Sequence, residues 1–344
     1  MIGYRRTRLT VVAVAAGVLL VVVAIAGILV GSVGIDAATA VRILAHRITG
    51  PGLVEPDWTR SQDLIIADTR VPRVLLAGVV GAGLALAGTT IQAVVRNPLA
   101  GPGVLGVSSG AAVGAVTVLR FGLGTPAVLL PLAAFLGALA AIFVVLAVAG
   151  RRGSVEPARL VLAGTAVSAV LSALTSLMVL TSPDESLAAQ VLQWTLGGFG
   201  GARWDRLVVP AIVLVVSCAV LVPLARNLNV MLAGEEGATA LGLDVRRLRF
   251  GLIVLCAVLT GALVAVSGVI GFVGLMIPHI ARMLVGSDHR RVLPVAVLVG
   301  AMFTIAADLA ARTVMIPEEI PVGIVTALVG GPFFVWLLRR TGSR

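Results

Sequence analysis

Lysine is absent from all 344 residues, and the 26 basic side chains are all arginine. A P-loop needs a Lys at the nucleotide phosphates, so no motif of that kind is present. Charge of either sign is scarce. Only 12% of residues are charged against 59% hydrophobic, with a mean hydropathy of +1.10, and a water-soluble surface cannot be built from that composition. The two cysteines, Cys218 and Cys256, lie in apolar runs and define no disulfide framework. Of the three histidines, His46 and His289 fall in polar connections and suggest nothing specific. His279, next to Pro278, has no second His or carboxylate in its apolar run, so a structural hydrogen bond outweighs a metal or proton-relay role. There is no His-Glu-x-x-His and no pair of intramembrane aspartates, which excludes the familiar intramembrane metallo- and aspartyl hydrolases.

What is abundant is apolar sequence in runs of membrane-crossing length, repeated from end to end. Hydropathy predicts ten helices, at about 9–31, 73–94, 104–119, 126–149, 159–180, 207–225, 249–267, 270–284, 293–313 and 322–338. The third and eighth are short for a span of roughly 20 residues, which suits tilted, broken or partly re-entrant segments. The expected fold is a single all-α polytopic membrane domain over residues 1–344. Arg5-Arg6-Thr7-Arg8 before the first run, with Ala24-Ile25-Ala26 inside it, resembles a signal peptide. The run is longer than a signal core, so it reads as an uncleaved first helix.

With the N-terminus inside, the inner connections carry 17 Arg against 5 acidic residues, net +12, and the outer ones 9 against 11, net −2. The excess of Arg at inner span ends satisfies the positive-inside rule, placing both termini in the cytoplasm. The Arg residues are dispersed rather than gathered with aromatics, so nucleic acid is not an expected partner. Proton- or sodium-coupled transport usually needs carboxylates or His near mid-membrane. Only Asp308 lies near a span, toward its outer end, which counts against that reading.

Several stretches stand out. RNPLAGPGVLGVSSG (96–110) spends Asn, Pro and Gly between two spans; Pro98 disfavours helix at Asn97, and Gly101-Pro102-Gly103 keeps the backbone slim. Irregular backbone at membrane depth is tolerated only against protein or a water-filled cavity. Thr165, Ser168, Ser172, Thr175 and Ser176 recur at near-helical spacing along the fifth span, fitting either a hydrated pathway or small-residue packing. Residues 226–249, RNLNVMLAGEEGATALGLDVRRLR, form the longest inner polar segment, and within it Gly234-Glu235-Glu236 through Leu241-Gly242-Leu243 reads as two short helices broken by Gly. Arg70, Arg73 and Arg312 sit at outer span ends, against the positive-inside bias, although Arg312 is one turn from Asp308.

Residues 69–111, 271–290 (GFVGLMIPHIARMLVGSDHR) and 320–340 (IPVGIVTALVGGPFFVWLLRR) resemble the FecCD family in order and spacing over nearly the whole chain. These are permease subunits of type II ABC importers for ferric siderophores, haem and cobalamin. The resemblance implies a dimer of two ten-helix subunits, identical or paralogous, in the bacterial plasma (inner) membrane. It further implies two cytoplasmic ATPase subunits, an extracytoplasmic substrate-binding protein and no cofactor. Arg70, Arg73 and Arg312 then match docking arginines for the binding protein. Gly234, Glu235, Glu236, Gly237, Leu241 and Gly242 match coupling helices seated on the ATPase. Asn97 and Leu99 match a gate, and the hydroxyl stripe of the fifth helix a pathway at the dimer axis. Ferric siderophore is the expected cargo. Trp194–Gly201 also resembles cobalamin-type permeases, which keeps cobalamin and haem open as alternatives.

Overall fold

The protein is described from a computed structural model covering residues 2–50, 55–151, 154–232 and 234–341. Arg152 and Arg344, both counted on the inner side, and Ala233 of the 226–249 segment lie outside them.

Among the described residues the fold is helical apart from a two-residue antiparallel ladder, β1 (Gly150–Arg151) with β2 (Ser154–Val155). Ten helices correspond to the ten expected spans: α1 (Ile2–Leu29), α4 (Val71–Val95), α5 (Val107–Phe121), α6 (Pro126–Ala149), α7 (Pro157–Leu180), α9 (Trp204–Leu221), α12 (Val245–Ser267), α13 (Val273–Val285), α14 (His289–Thr313) and α15 (Val322–Thr341). Eight are long and apolar enough to cross a membrane. The third and eighth, α5 and α13, have 15 and 13 residues. At 1.5 Å per residue α13 is about 20 Å long, against a hydrocarbon core of roughly 30 Å. It begins inside the bundle, after an irregular stretch that contains Gly268 and Phe272 at positive φ.

Hydropathy missed the short helices in the connections. On the end expected outside lie α2 (Ala37–Thr49), capped by the Asp36 side chain, α3 (Arg60–Leu64) continuing through a π-helical turn into α4, and α8 (Leu187–Leu196). At the opposite end, residues 234–243 hold one short helix rather than the two expected there, and a second precedes them. They are α10 (Ala225–Met231) and α11 (Glu235–Ala240), separated at Gly234 with φ +98°. Leu241-Gly242-Leu243 is a turn, and α12 begins immediately after it.

The bundle is organised around α4, whose residues are nearly all buried. Between apolar helices in lipid there is no hydrophobic gain from association, so close backbone packing at small residues has to supply the attraction. A Cβ on Gly81 would fall 2.2 Å from the Gly300 carbonyl oxygen on α14, and one on Gly88 1.8 Å from that of Gly274 on α13. Gly110 of α5 and Gly137 of α6 meet in the same way. By contrast, α1, α9 and α6 turn outward aliphatic rows such as Val11, Val14 and Val18, or Val208, Val209 and Ile212. Such faces are suited to acyl chains.

Candidate functional site

The stretch 96–110 finds its explanation in its neighbours. Helix α4 ends where Arg96 adopts the left-handed conformation at φ 54°, and the Asn97 side chain accepts the Leu99 N–H at 2.9 Å, closing a local turn. A single 3₁₀ turn, Pro102–Leu105, then leads into α5. That turn is wedged between α7 and α13. A Cβ on Gly164 of α7 would lie 1.9 Å from the Val104 carbonyl oxygen, and one on Gly274 of α13 2.6 Å from Pro102 Cδ. The irregular backbone is therefore packed against protein, as its polar groups demand. On one side it borders a cavity of about 380 Å³ lined by Leu99, Gly101, Pro102, Ser108, Thr260, residues 269–272, Gly274 and Leu275. Leu99 is half exposed and reaches this cavity, whereas Asn97 is exposed and does not line it.

The hydroxyl stripe of α7 divides. Thr165, Ser172 and Ser176 are exposed, and Ser168 and Thr175 are half buried, with Ser168 turned toward Gly106 of the wedge. Thr165, Thr175 and Ser176 donate to carbonyls one turn back on their own helix. Such hydroxyls present a polar but satisfied edge that does not bind a passing solute tightly. Only Leu160, Ala163 and Gly164 of α7 are buried.

The three outer arginines are placed unlike the expectation. Arg70, Arg73 and Arg312 are 4%, 7% and 2% exposed, and Asp308 is 1% exposed. Arg73 makes ion pairs with Asp308 at 2.8 Å and Glu319 at 2.8 Å. Arg312 pairs with Asp308 at 3.1 Å and donates to the carbonyls of Gly27 and Val30. Arg70 donates to the carbonyls of Ile28, Leu29 and Val33, capping the end of α1. These forks are consumed inside the chain, so a docking role for them is not what their geometry offers. They bind α1, α4 and α14 together at that end. Among the described residues the exposed arginines there are Arg47, which pairs with Asp63, Arg60, and Arg203, which pairs with Asp205. Sequence reasoning placed Arg70 and Arg73 at a surface because they precede an apolar run; the carboxylate that draws Arg73 inward lies 235 positions away.

A second cavity, of about 370 Å³, opens at the same end between α8, residues 197–201 and residues 319–322, with Gln190, Gln193, Trp194, Arg206 and Glu319 in its wall. The glycine-rich run 197–201 is strapped by Gly198 N–H to the Ser267 carbonyl at 2.8 Å and by Val322 N–H to the Gly197 carbonyl at 3.0 Å.

At the opposite end, α11 is held by an ion pair between Glu235 and Arg249 at 3.2 Å. Glu236 and Gly242 are exposed, and Leu241 is 71% exposed, an apolar side chain offered outward. Gly234 lies against the 96–110 stretch: a Cβ there would sit 3.7 Å from the Arg96 guanidinium. Gly237 is half buried on α11. Sequence reading missed Asn229 and Asp288 here, which bond to each other at 2.7 Å. It also set aside His289, which is 4% exposed. Among the described residues no three His, Cys, Asp or Glu side chains converge as metal ligands would.

A wedge of irregular backbone packed beside short helices, within a bundle of eight helices long and apolar enough to cross a membrane, is an architecture suited to a membrane transport permease. The chain belongs to the FecCD transport family, which it matches over residues 4–340. It is 46% identical over 279 residues to the cobalamin import system permease protein BtuC of Halobacterium salinarum, covering 80% of this chain and 73% of that one. It is also 46% identical over 275 residues to the hemin transport system permease protein HmuU of Yersinia pestis, covering 79% and 82%. The Fe(3+) dicitrate transport system permease protein FecD of Escherichia coli is 38% identical over 288 residues, covering 83% and 88%. A solved metal-chelate type ABC transporter in an inward-facing conformation superposes with a TM-score of 0.82 at 33% identity, covering 95% of this chain and 98% of that one. The protein is thus a multi-pass permease of a type II ABC importer, a class whose permease subunits leave ATP hydrolysis to a separate subunit.

Proposed function

We propose that this permease passes a bulky metal chelate, a ferric siderophore, along the axis of a dimer, into the cytoplasm across the bacterial plasma membrane. The observation that carries the reading is the wedge at 99–105. It stands between α7, whose exposed edge is small and hydroxylated, and a largely apolar cavity of about 380 Å³. A chelate moved by alternating closure needs a path that neither snags nor binds it, and these walls have that chemistry. Asn97 and Leu99 form the inner gate, and Thr165, Ser168, Ser172, Thr175 and Ser176 face the second subunit across the pathway.

Residues 226–249 seat on the ATPase pair, with Leu241 as the apolar knob and Gly234, Glu235, Glu236, Gly237 and Gly242 shaping its mount. Both termini then lie in the cytoplasm, in keeping with the distribution of Arg. A binding protein docks at the end carrying α2, α3 and α8. There Arg60 and Arg203 take the role expected of Arg70, Arg73 and Arg312, since only exposed forks can steer and register a partner.

Relatives named for Fe(3+)-citrate and siderophore transport support iron as the cargo. Cobalamin or haem is the second reading, favoured by the 46% identities to permeases of those names. The test is uptake of labelled ferric siderophore, haemin and cobalamin in the host with and without this gene. Loss of iron uptake alone is expected. Loss of cobalamin or haem uptake alone would transfer the reading to that cargo, and retention of all three would overturn it.

A further inference from the structure

One polar cluster lies outside the pathway and the ion-pair network. Asn229 stands in the middle of α10 and is aimed at the start of α14. Its Oδ1 accepts two bonds from His289, the backbone N–H at 2.9 Å and ring Nδ1 at 2.7 Å. Its Nδ2 donates to Asp288 Oδ1 at 2.7 Å. The acceptor role of Oδ1 toward the backbone N–H fixes the amide orientation, and the ring must then carry its proton on Nδ1. Asp288 is also the N-cap of α14, accepting the Arg290 N–H at 3.0 Å. Among the described residues no other side chain of α10 makes a comparable bond to α14. The remaining attachment of α10 is apolar, through Ala225, Leu228 and Met231.

The rest of the inner segment is built to move differently. Gly234 and Gly242 hold positive φ on either side of α11, so α11 is bounded by two turns, while α10 is fixed to a 25-residue helix. That helix packs backbone to backbone on α4 through Gly81 and Gly300. Helix α4 in turn runs directly into Arg96, Asn97 and Leu99, and the Asn97 N–H closes back on the Gln92 carbonyl. The Gln92 side chain meanwhile accepts from Arg282 at 2.6 Å and donates to the Leu275 carbonyl of α13.

We propose that Asn229 is the positioning residue that locks α10 to the start of α14, so that α10, the α4/α14 pair and the 96–101 gate stretch move as one body. It rests on the reading of residues 226–249 as the ATPase seat, and it names the contact that delivers displacement of that seat to the gate. Without the lock, motion of the segment is absorbed in the turn at 222–224 and at Gly234.

The test uses the permease with its own ATPase and binding protein in proteoliposomes, measuring chelate imported per ATP hydrolysed for cobalamin, haemin and ferric dicitrate. Asn229→Asp keeps an acceptor for His289 but sets a second carboxylate against Asp288. N229D is expected to lower the import-to-hydrolysis ratio by about tenfold, an ordinary size for a coupling free energy. D288N keeps the cap and is expected to stay near wild type. N229D/D288N exchanges the two partners and is expected to return to within about twofold of wild type, as double-mutant logic requires of a direct contact. A side chain that merely filled space would not be rescued by that exchange. Should N229D fail to accumulate, Asn229→Ala is read by the same ratio. A wild-type ratio in N229D or N229A, or no recovery in the double variant, overturns the inference. A Gly242→Val permease that retains its ATPase and imports at the wild-type ratio overturns the reading of the seat, and the inference with it.

Discussion

Arg73 of α4 and Asp308 of α14 face each other at 2.8 Å in the interior of the bundle, 235 positions apart in sequence. Arg312 takes the other Asp308 oxygen at 3.1 Å. One carboxylate therefore serves two guanidinium groups, with Glu319 completing the balance on Arg73. Asp308→Asn leaves two nearly buried cations facing a neutral amide. Breaking a buried pair from one side costs roughly 3–5 kcal/mol. The variant is expected to lose that much in a detergent-titrated unfolding measurement. Charge reversal at Arg70 and Arg73 is expected to destabilise the permease itself, seen as loss of monodisperse protein, rather than to weaken binding-protein docking alone.

The close approach of Gly88 to Gly274 gives a second expectation. A Cβ on Gly88 would overlap a backbone carbonyl at 1.8 Å, and backbone cannot yield as a flexible side-chain tip can. Overpacking typically costs 1–3 kcal/mol, so Gly88→Val is expected to destabilise by at least about that much and to part α4 from α13. Gly251→Ala is the control, for nothing lies within 4 Å of its added methyl. It is expected to be neutral or to gain roughly 0.5 kcal/mol from helix preference. Thermal unfolding of the two purified variants checks both.

The ten spans were legible because a lipid-crossing helix needs a long apolar run, and length is written locally in the chain. Even the shortness of α5 and α13 was visible at 104–119 and 270–284. What escaped were contacts that pair distant positions. Nothing near Arg73 in the sequence announces Asp308, so the arginine looked like a surface fork. Nothing near Asn229 announces Asp288 and His289, so that corner of the inner segment read as a plain amphipathic connector. The short helices α2 and α8 escaped for another reason: ten to thirteen residues of mixed polarity carry no span signal. The wedge at 96–110 lay between these cases. Its irregularity was plain from Pro and Gly, but the need for slim backbone came from Gly164 and Gly274 on other helices.

The exposed edge of α7 tests the dimer. With Cys218 and Cys256 replaced, Ser172→Cys or Ser176→Cys is expected to form a covalent dimer under mild oxidation in membranes. Val209→Cys, exposed on the aliphatic face of α9 at 62%, is expected to remain monomeric. A cross-link from α9 and none from α7 would move the subunit interface. Disulfide geometry demands Cα atoms within about 7 Å, so the yield reports proximity directly.

The inner segment carries a pH expectation. Burial alone would raise the Asp288 carboxyl, but hydrogen bonds from Asn229 and the Arg290 N–H, with the charges of Arg290 and Arg291, hold it below the usual carboxylate range. A carboxylate held low in the folded protein contributes stability that is complete above its ordinary pKa. That stability is lost as pH falls through the depressed value. Retention of the ATPase subunit by purified permease is therefore expected to be flat between about pH 5 and 8 on this account, and D288N is expected to abolish any acid-side loss due to this group. Gly242, at φ +81°, is expected to tolerate no β-branched residue, because the left-handed conformation costs roughly 1–2 kcal/mol for a side chain. Gly242→Val should reduce co-purifying ATPase.

The most direct test of the whole account is transport by the purified assembly in sealed vesicles, with ATP, an imposed proton gradient and an imposed sodium gradient supplied separately. The account predicts that labelled chelate crosses only when ATP, the separate ATPase subunit and the binding protein are all present, and that neither gradient substitutes. Accumulation driven by a gradient without ATP would contradict it, and would make this bundle a secondary transporter.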